Sequence, residues 1–269
     1  MMKIDDLSLS ALEFYSGASA WTGHAPFAMT LMKTLRPAVF VELGAYRGDS
    51  YLVFCQAVAE HHLSARCFAV DTWRGDQHTG GYEEDIYRQL KSYHAARYRN
   101  FSTLLRMDFD SAAGKFRPGS IDLLHIDGLH TYEAVRHDFE TWLPKMSARG
   151  VVLLHDTCAR HAGFGVFRFW DEIAPRYPSF EFRHSSGLGV LCVGSEPPPA
   201  LLQFCQEQTT LAARQAFFER LGALLEAESR QRHATGGGSS WAHPKPSKNL
   251  WTRVRNEFRR GVARLRRAA

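Results

Sequence analysis

The sequence predicts an α/β fold: a Rossmann-like sheet of seven strands, five parallel ones followed by a terminal antiparallel hairpin, with a helical extension at the C-terminal end. Three observations carry this. Between residues 38 and 154, short apolar runs alternate with helix-like stretches, the pattern of a parallel sheet wrapped by helices. Three of the runs end in an acid, Asp71, Asp108 or Asp127, and the first ends at Gly44. The runs at 180–184 and 188–193 are separated only by Ser185, Ser186 and Gly187, too short for a crossover helix, so they must pair antiparallel.

Residues 38–43 (AVFVEL) read as strand one, ended by Gly44 and followed by a helix over 50–61. Strand two covers 66–70 and is closed by Asp71. A polar passage, 72–81, precedes a helix over 82–97. Strands three, four and five are 101–107, 121–126 and 151–154; the helix of 132–143 between the last two is stopped by Pro144. Pro197, Pro198 and Pro199 punctuate the end of this body. A helical stretch, 200–232, offers Leu201, Phe204, Leu211, Phe217, Phe218, Leu221 and Leu224 either to the body or to a dimer seam. The expected organisation is therefore a body of 1–199 with an N-terminal lid over about 1–36, a helical extension of 200–232, a Gly/Ser/Pro linker of 233–249 and a basic helix of 250–269.

Composition narrows the classes. With 45% hydrophobic and 12% aromatic residues the chain of 269 can bury a sizeable core, which excludes disorder throughout. No run approaches the roughly 18 apolar residues of a membrane-spanning helix, and the acidic start lacks the features of a signal peptide. Five scattered cysteines without a CxxC pair suit buried reduced thiols and a cytoplasmic setting. The net charge of +5 is uneven: residues 250–269 hold seven Arg and one Glu, +6, which leaves −1 for the remainder.

Glu42, Gly44 and Gly48 sit where strand one opens into a helix. Glycines there let backbone approach a ligand, and the helix start offers free N–H groups. Turn glycines would look the same. Asp71 closes strand two, where an acid can hold both hydroxyls of a ribose, and Asp108 closes strand three, where it can meet a ring edge. Strand four runs out into Asp127 and His130, strand five into His155 and Asp156. These strand ends are neighbours, so the four side chains are expected to cluster. Alone, each acid also reads as a helix cap, and His155 as a core histidine. The passage from Trp73 to Tyr82, with Asp76 and His78, mixes Gly, aromatics and charge in the manner of a lid over a hydroxylated ligand. Trp21 to Phe27 is a candidate cover for the same crevice, whereas Met29, Met32, Phe54 and Phe109 read as core.

The ExGxxxG pattern of Glu42, Gly44 and Gly48, together with Asp71 and the hairpin, resembles class I S-adenosylmethionine-dependent methyltransferases over about residues 20–195. The resemblance implies that Glu42, Gly44 and Gly48 border the methionine and ribose end of S-adenosylmethionine, Asp71 and Trp73 the ribose side and Asp108 the adenine. The segment IDGLHTYEAVRHDFETWLPKMSARGVVLLHDT is similar to the macrocin and mycinamicin type of sugar O-methyltransferases. That similarity implies His130 as the base, with Asp127 beside it at the reacting centre, and Asp127 and Asp156 as ligands of Mg²⁺ or another divalent cation. His155 stands where those relatives carry the first acid of a pair, so it either replaces the carboxylate as a ligand or the site is metal-free. Asp76, His78 and Tyr82 are the candidate acceptor contacts. The segment GFGVFRFWDEIAPRYPSFEFRHSSGLGVLCVG looks like a branch that accompanies glycosyltransferases of bacterial surface polysaccharides. It implies a carbohydrate or glycoconjugate acceptor, such as a polysaccharide, its lipid-linked precursor or a glycoside.

In the tail, Trp251, Val254, Phe258, Val262 and Leu265 fall on one face of a helix, with Arg253, Arg255, Arg259, Arg260, Arg264, Arg266 and Arg267 spread over the rest. Such a helix suits an anionic membrane surface at the inner face of the membrane, or a protein partner such as a glycosyltransferase. Two rival functions stand beside the sugar O-methyltransferase. A nucleic-acid methyltransferase is prompted by the Arg-rich tail but disfavoured by Ile126-Asp127-Gly128-Leu129, which lacks the Pro-Pro-Tyr that base-amine enzymes use. A membrane-associated scaffold without activity is the other.

Overall fold

The computed structural model describes residues 8, 10–17, 19–78, 80–206, 208–235, 252, 256, 259–261 and 263. Its elements in chain order are α1 (Ala25–Leu35), β1 (Val39–Leu43), α2 (Asp49–Glu60), β2 (Arg66–Asp71), the two-residue strands β3 (Gly75–Asp76) and β4 (Gly80–Gly81), α3 (Glu84–Arg97), β5 (Ser102–Arg106), α4 (Phe109–Ala113), β6 (Ile121–Ile126), α5 (Tyr132–Trp142), β7 (Met146–His155), α6 (Val166–Ile173), β8 (Ser179–Phe182), β9 (Leu188–Cys192), α7 (Pro199–Gln206) and α8 (Gln208–Thr235).

The main sheet has the order β5-β2-β1-β6-β7-β9-β8. β5, β2, β1, β6 and β7 are parallel, and β9 and β8 are antiparallel to their neighbours. This is the seven-stranded class I methyltransferase sheet that the alternation and the short hairpin predict. From β1 the chain moves outward to β2 and β5, then returns to β6 on the other side. The order therefore reverses between β1 and β6, and the crevice beyond their carboxyl ends is where an open α/β sheet binds its ligand.

Strand pleating sorts side chains onto two cores. Phe40, Leu123, Val151 and Leu153 pack with α1, α2 and α8 on one face; Val41, Leu43, Leu124 and Leu154 pack with α4, α5 and α6 on the other. Met29, Met32 and Phe54 are fully buried, as expected of core residues. All five cysteines are free, and four of them are buried.

Pro199–Gln206 and Gln208–Thr235 are helical, as expected of this stretch. α8 packs on the body, one of the two placements the sequence leaves open: Phe217, Phe218, Leu221 and Leu225 are buried with Phe27 in the first core. The N-terminal lid region holds α1, wholly integrated into that core. The polar passage after β2 folds into the β3–β4 ribbon. No helix among the described residues is long and apolar enough to cross a membrane. Trp251, Val254, Phe258, Val262 and Leu265 lie outside the described residues, as do Arg253, Arg255, Arg264, Arg266 and Arg267 and linker residues 236–249. Among the described tail residues, Arg259 and Arg260 are exposed and helical, and Gly261 is buried against the Phe217 ring.

α8 crosses the segment Trp21–His24 so closely that a Cβ on Gly222 would overlap the Gly23 carbonyl. Gly→Ala inside a helix ordinarily stabilises by about 0.5–1 kcal/mol. Here overpacking reverses the sign, and Gly222→Ala is expected to destabilise by about 1–3 kcal/mol in a denaturant titration. An unchanged or raised midpoint would show that α8 does not clamp this segment.

Candidate active site

A cavity of about 440 Å³ opens beyond the carboxyl ends of β1, β2, β5, β6 and β7. Its walls are the β1–α2 loop (Gly44, Ala45, Tyr46, Arg47), residues after β2 (Asp71, Thr72, Gly75, Asp76, Tyr82), and Asp108 and Phe109 after β5. Asp127 to His130 follow β6, and His155 and Asp156 end β7. Ser19, Ala20 and Trp21 close the N-terminal side above Asp49 and Ser50.

The loops meet closely because Gly44 lacks a side chain. Its φ is +87°, and a Cβ there would overlap the Asp127 carbonyl. Asp71 faces the cavity but is mostly engaged. Oδ2 accepts from the backbone N–H of Ala45 and Tyr46, each at 2.9 Å, and Oδ1 from that of Trp73 at 2.7 Å. Burial raises its carboxyl, against the pull of those three donors. It thus ties the β1–α2 loop to β2 and keeps one lone pair on Oδ1 for a ligand. Asp108 caps α4, accepting from Ser111 N at 2.7 Å and Oγ at 2.8 Å, and these bonds hold it below the usual carboxylate range.

The four side chains at the ends of β6 and β7 do come together. His155 Nδ1 lies 3.2 Å from Asp127 Oδ1 and 3.3 Å from Asp156 Oδ2. On the other side of the same carboxylates, His130 Nε2 lies 3.0 Å from Asp156 Oδ2 and 3.8 Å from Asp127 Oδ1. His155 Nε2 donates to the Ser185 carbonyl at 3.1 Å, so both its ring nitrogens face acceptors and the ring is an imidazolium. Burial opposes that charge, but Asp127 and then Asp156 outweigh it and raise the group well above its ordinary range. The same balance, with burial overcome by the two carboxylates, pushes His130 up to about 9. In return, against the cost of burial, His155 holds Asp127 well below the ordinary range and Asp156 at about 2. Neither acid caps a helix: Thr131 caps α5, and α6 starts at Gly165 without a side-chain cap.

His130 is further fixed by Phe164, whose ring stacks on it at 4.5 Å and 3°. Its backbone carbonyl accepts from Gly165 N at 2.7 Å. His130 Nδ1 is buried and has no hydrogen-bond partner among the described residues. Asp156 reaches this geometry with a φ of +62°, the strained region in which non-glycine residues cluster at functional sites.

Several candidates stand elsewhere than expected. Glu42 does not line the cavity: it shares the pleat parity of Phe40, so it points under α2. There it accepts from Ser50 Oγ at 2.8 Å and from Nδ1 of His125, its cross-strand partner, at 2.9 Å. His125 Nε2 in turn accepts from the Trp21 indole at 3.3 Å, so Glu42 anchors the cavity wall from behind. Gly48 is the left-handed cap of α2, where a Cβ would overlap the Leu90 side chain, and is also off the cavity. Trp73 is buried, with its indole donating to the Tyr46 carbonyl at 2.9 Å. Asp76 and Tyr82 line the cavity; His78 instead stacks against His130 at 5.6 Å and Phe164 at 4.9 Å. Phe109, expected in the core, packs against the edge of the second core and also lines the cavity. Of residues 21–27, only Trp21 reaches it.

The residues for a cation were tested by their donors and charge. Asp127, His130 and Asp156 offer ligand atoms within 4.8 Å of one another, and His155 stands outside that set because both its nitrogens are engaged. Two carboxylates facing two imidazolium rings carry no net negative charge. The geometry of Asp127, His130 and Asp156 admits a divalent ion, with His155 beside that set as a cation.

Comparison with known proteins adds the chemistry. A family model described as a methyltransferase domain matches residues 41–157. Residues 41–157 resemble a methyltransferase domain. An uncharacterized protein, y4gI, of Sinorhizobium fredii (strain NBRC 101917 / NGR234) is 48% identical over 195 residues, which are 72% of this chain and 21% of that protein. The chain thus spans about a fifth of the length of this curated relative. Among solved structures, the O-methyltransferase TomG from Streptomyces achromogenes, involved in tomaymycin synthesis and in complex with SAM, is 16% identical with a TM-score of 0.50, covering 69% of this chain and 92% of that one. SAH-bound PaMTH1, a methyltransferase of Podospora anserina, is 13% identical with a TM-score of 0.48, covering 62% and 76%. At these identities the likeness is one of fold.

The matched methyltransferase domain contains every acid of the cluster and of the cavity floor from Asp49 to Asp156. Under its Gly128 turn lies Asp138, whose Oδ2 would sit 3.5 Å from a Cβ at Gly128. Burial, reinforced by Asp110 and opposed by His137, pushes this carboxyl up to about 7. A carboxyl with a raised folded-state pKa binds a proton that the unfolded chain releases near pH 4, so stability falls as pH rises from about 4 to about 7. The loss is on the order of 4 kcal/mol. Asp138→Asn, which stays neutral, is expected to flatten this slope and to be the more stable form at pH 8. An identical pH–stability curve for both proteins would refute it.

Proposed function

We propose that this chain is an S-adenosylmethionine-dependent O-methyltransferase acting on a sugar hydroxyl, within a catalytic body of 1–199 braced by the helices of 200–232. One observation supports the hydroxyl reading above the rest: the Asp156–His130 dyad. Asp156 accepts from Nε2–H of His130, which leaves Nδ1, buried and unpartnered, as the basic nitrogen. An alcohol is a weak nucleophile near neutrality and needs such a base. When bound, S-adenosylmethionine would supply a sulfonium methyl for in-line transfer to the acceptor oxygen, leaving the thioether, and His130 Nδ1 would take the hydroxyl proton.

The charge of the cavity supports the cofactor. Six of its lining residues are aspartates; His130 and His155 offset two of them, and the other four outnumber Arg47, which makes a poor site for a diphosphate and a better one for a sulfonium and an ammonium. In this reading Asp71 receives a ribose hydroxyl, Asp108 the adenine edge, and Asp76 and Tyr82 the acceptor. The choice of a sugar rests on the resemblance of the strand-four and strand-five segments and on the polarity of the β3–β4 lid. A carbohydrate or glycoconjugate acceptor is its natural partner, and residues 250–269 would bring the enzyme to an anionic membrane surface or a glycosyltransferase.

His130→Ala is expected to keep the affinity for S-adenosylhomocysteine and to lose about 10²–10⁴ in kcat on a sugar acceptor, the contribution of a positioned base. Full turnover by this variant would remove the base assignment. Because His130 must be neutral to act, and its two carboxylates hold the proton up to about 9, log kcat/KM should rise with pH and level near that value. The limb in kcat should lie lower, since the bound sulfonium repels the proton. Chelation with EDTA is expected to leave turnover intact because His155 supplies the positive charge. Loss with EDTA and recovery with Mg²⁺ or Mn²⁺ would assign Asp127, His130 and Asp156 to a metal.

A further inference from the structure

Against its six aspartates, the cavity lining contains one guanidinium and no ammonium: Arg47, between Gly44 and Gly48 in the β1–α2 loop. Its Nε is buried without a hydrogen-bond partner among the described residues, and its Cζ stands 5.3 Å from the Tyr46 ring centroid. Asp49, which feels its charge, has both carboxylate oxygens engaged elsewhere. Oδ1 accepts from Ser16 N at 2.8 Å and Oδ2 from Ser16 Oγ at 2.5 Å. A part-buried guanidinium without an anion is an incomplete arrangement.

We infer that Arg47 binds the α-carboxylate of the cofactor's amino-acid end. This deepens the cofactor reading above and rests on it. At neutral pH S-adenosylmethionine carries a sulfonium, an ammonium and a single carboxylate. In a cavity lined by acids, that carboxylate has one cationic fork to meet, and a guanidinium matches it with two parallel N–H donors. The position agrees. Arg47 follows β1, whereas Asp108 at the adenine end follows β5, two strands away with β2 and its Asp71 between them. The nucleoside therefore runs over β2 and β5, and its amino-acid arm ends in the β1–α2 loop under Ser19, Ala20 and Trp21. Arg47 becomes the residue that distinguishes the intact cofactor from nucleosides lacking the amino-acid arm.

The test is calorimetric titration of the full chain and of Arg47→Met and Arg47→Lys with two ligands. S-adenosylhomocysteine has the carboxylate; 5′-methylthioadenosine keeps the thioether nucleoside and lacks it. Arg47→Met is expected to weaken S-adenosylhomocysteine by about 10–100-fold, the loss of a charge-assisted pair, while 5′-methylthioadenosine changes less than about twofold. Arg47→Lys, which restores charge without the fork, should lie between. Parallel weakening of both ligands would mean a structural role and overturn the inference, as would undiminished S-adenosylhomocysteine binding by Arg47→Met. If the unmodified chain binds neither ligand, the cofactor reading itself falls and this inference with it.

Discussion

Asp127 and Asp156 end adjacent parallel strands with carboxylate oxygens about 3.2–3.3 Å from one imidazole nitrogen, and both can stay ionised in a buried place only because that nitrogen carries a proton. The proton belongs to His155, and much of the surrounding structure serves to keep it there. The Ser185 carbonyl holds the far side of the ring, so a neutral tautomer with its proton on Nδ1 would aim the Nε2 lone pair at that carbonyl, and only the imidazolium satisfies acceptors on both sides. Ser185 and Ser186 both adopt positive φ, and Gly187 follows with a φ of +94°, so the β8–β9 turn is bent for this contact. Backbone bonds from Asp156 N to Gly187 O and from Cys158 N to Ser186 O fasten the same turn to the end of β7. An antiparallel hairpin at the far edge of the sheet thus sets the charge of the centre.

The same carbonyl accepts from His24 Nε2 at 3.2 Å, and His184 contacts the Gly23 carbonyl at 3.3 Å. Burial lowers His24 well below its ordinary range, so the ring beside the His155 cation is neutral and adds no repulsion. Through these contacts the segment of Trp21–His24 is joined to the catalytic strands, while Trp21, His125, Glu42 and Ser50 form a second chain of hydrogen bonds below it. α8 presses on this segment from outside. The cover of the cavity is consequently part of the core, and the movable candidates are the β3–β4 ribbon and the loop carrying Phe164. These two meet where His78 and Phe164 stack against His130.

The distribution of charge gives the cavity a direction. Carboxylates span it from Asp108 past Asp71 to Asp156, and the one guanidinium stands at the β1–α2 loop. A ligand with two cationic groups and one anionic group has a single favourable orientation in such a field. In the proposed reading that orientation would put the sulfur on the His130 side and leave the lid side to the acceptor.

The chain by itself determined the fold and the address of the site. Strand alternation and a three-residue connection suffice for the sheet, because a parallel pair needs a crossover that Ser185-Ser186-Gly187 is too short to provide. Strand-end acids and histidines mark the crevice, because an open α/β sheet puts its ligands beyond its carboxyl ends. Which of those side chains face the crevice was decided only in three dimensions. Glu42 was legible as a motif residue, yet pleat parity turns it under α2. Gly48 and Trp73 are committed to the packing of the β1–α2 loop, and Arg47, lying between the two glycines, carried no periodic signal at all. The pairing of Trp21 with His125, the stacking of Phe164 on His130 and the Ser185 contact join residues far apart in sequence. Hydrogen bonds and ring contacts of that kind depend on distance and direction in space, which no spacing along a chain encodes. For the same reason the protonation of His155 belongs to the tertiary structure: it follows from two carboxylates and a carbonyl that the fold alone brings around one ring.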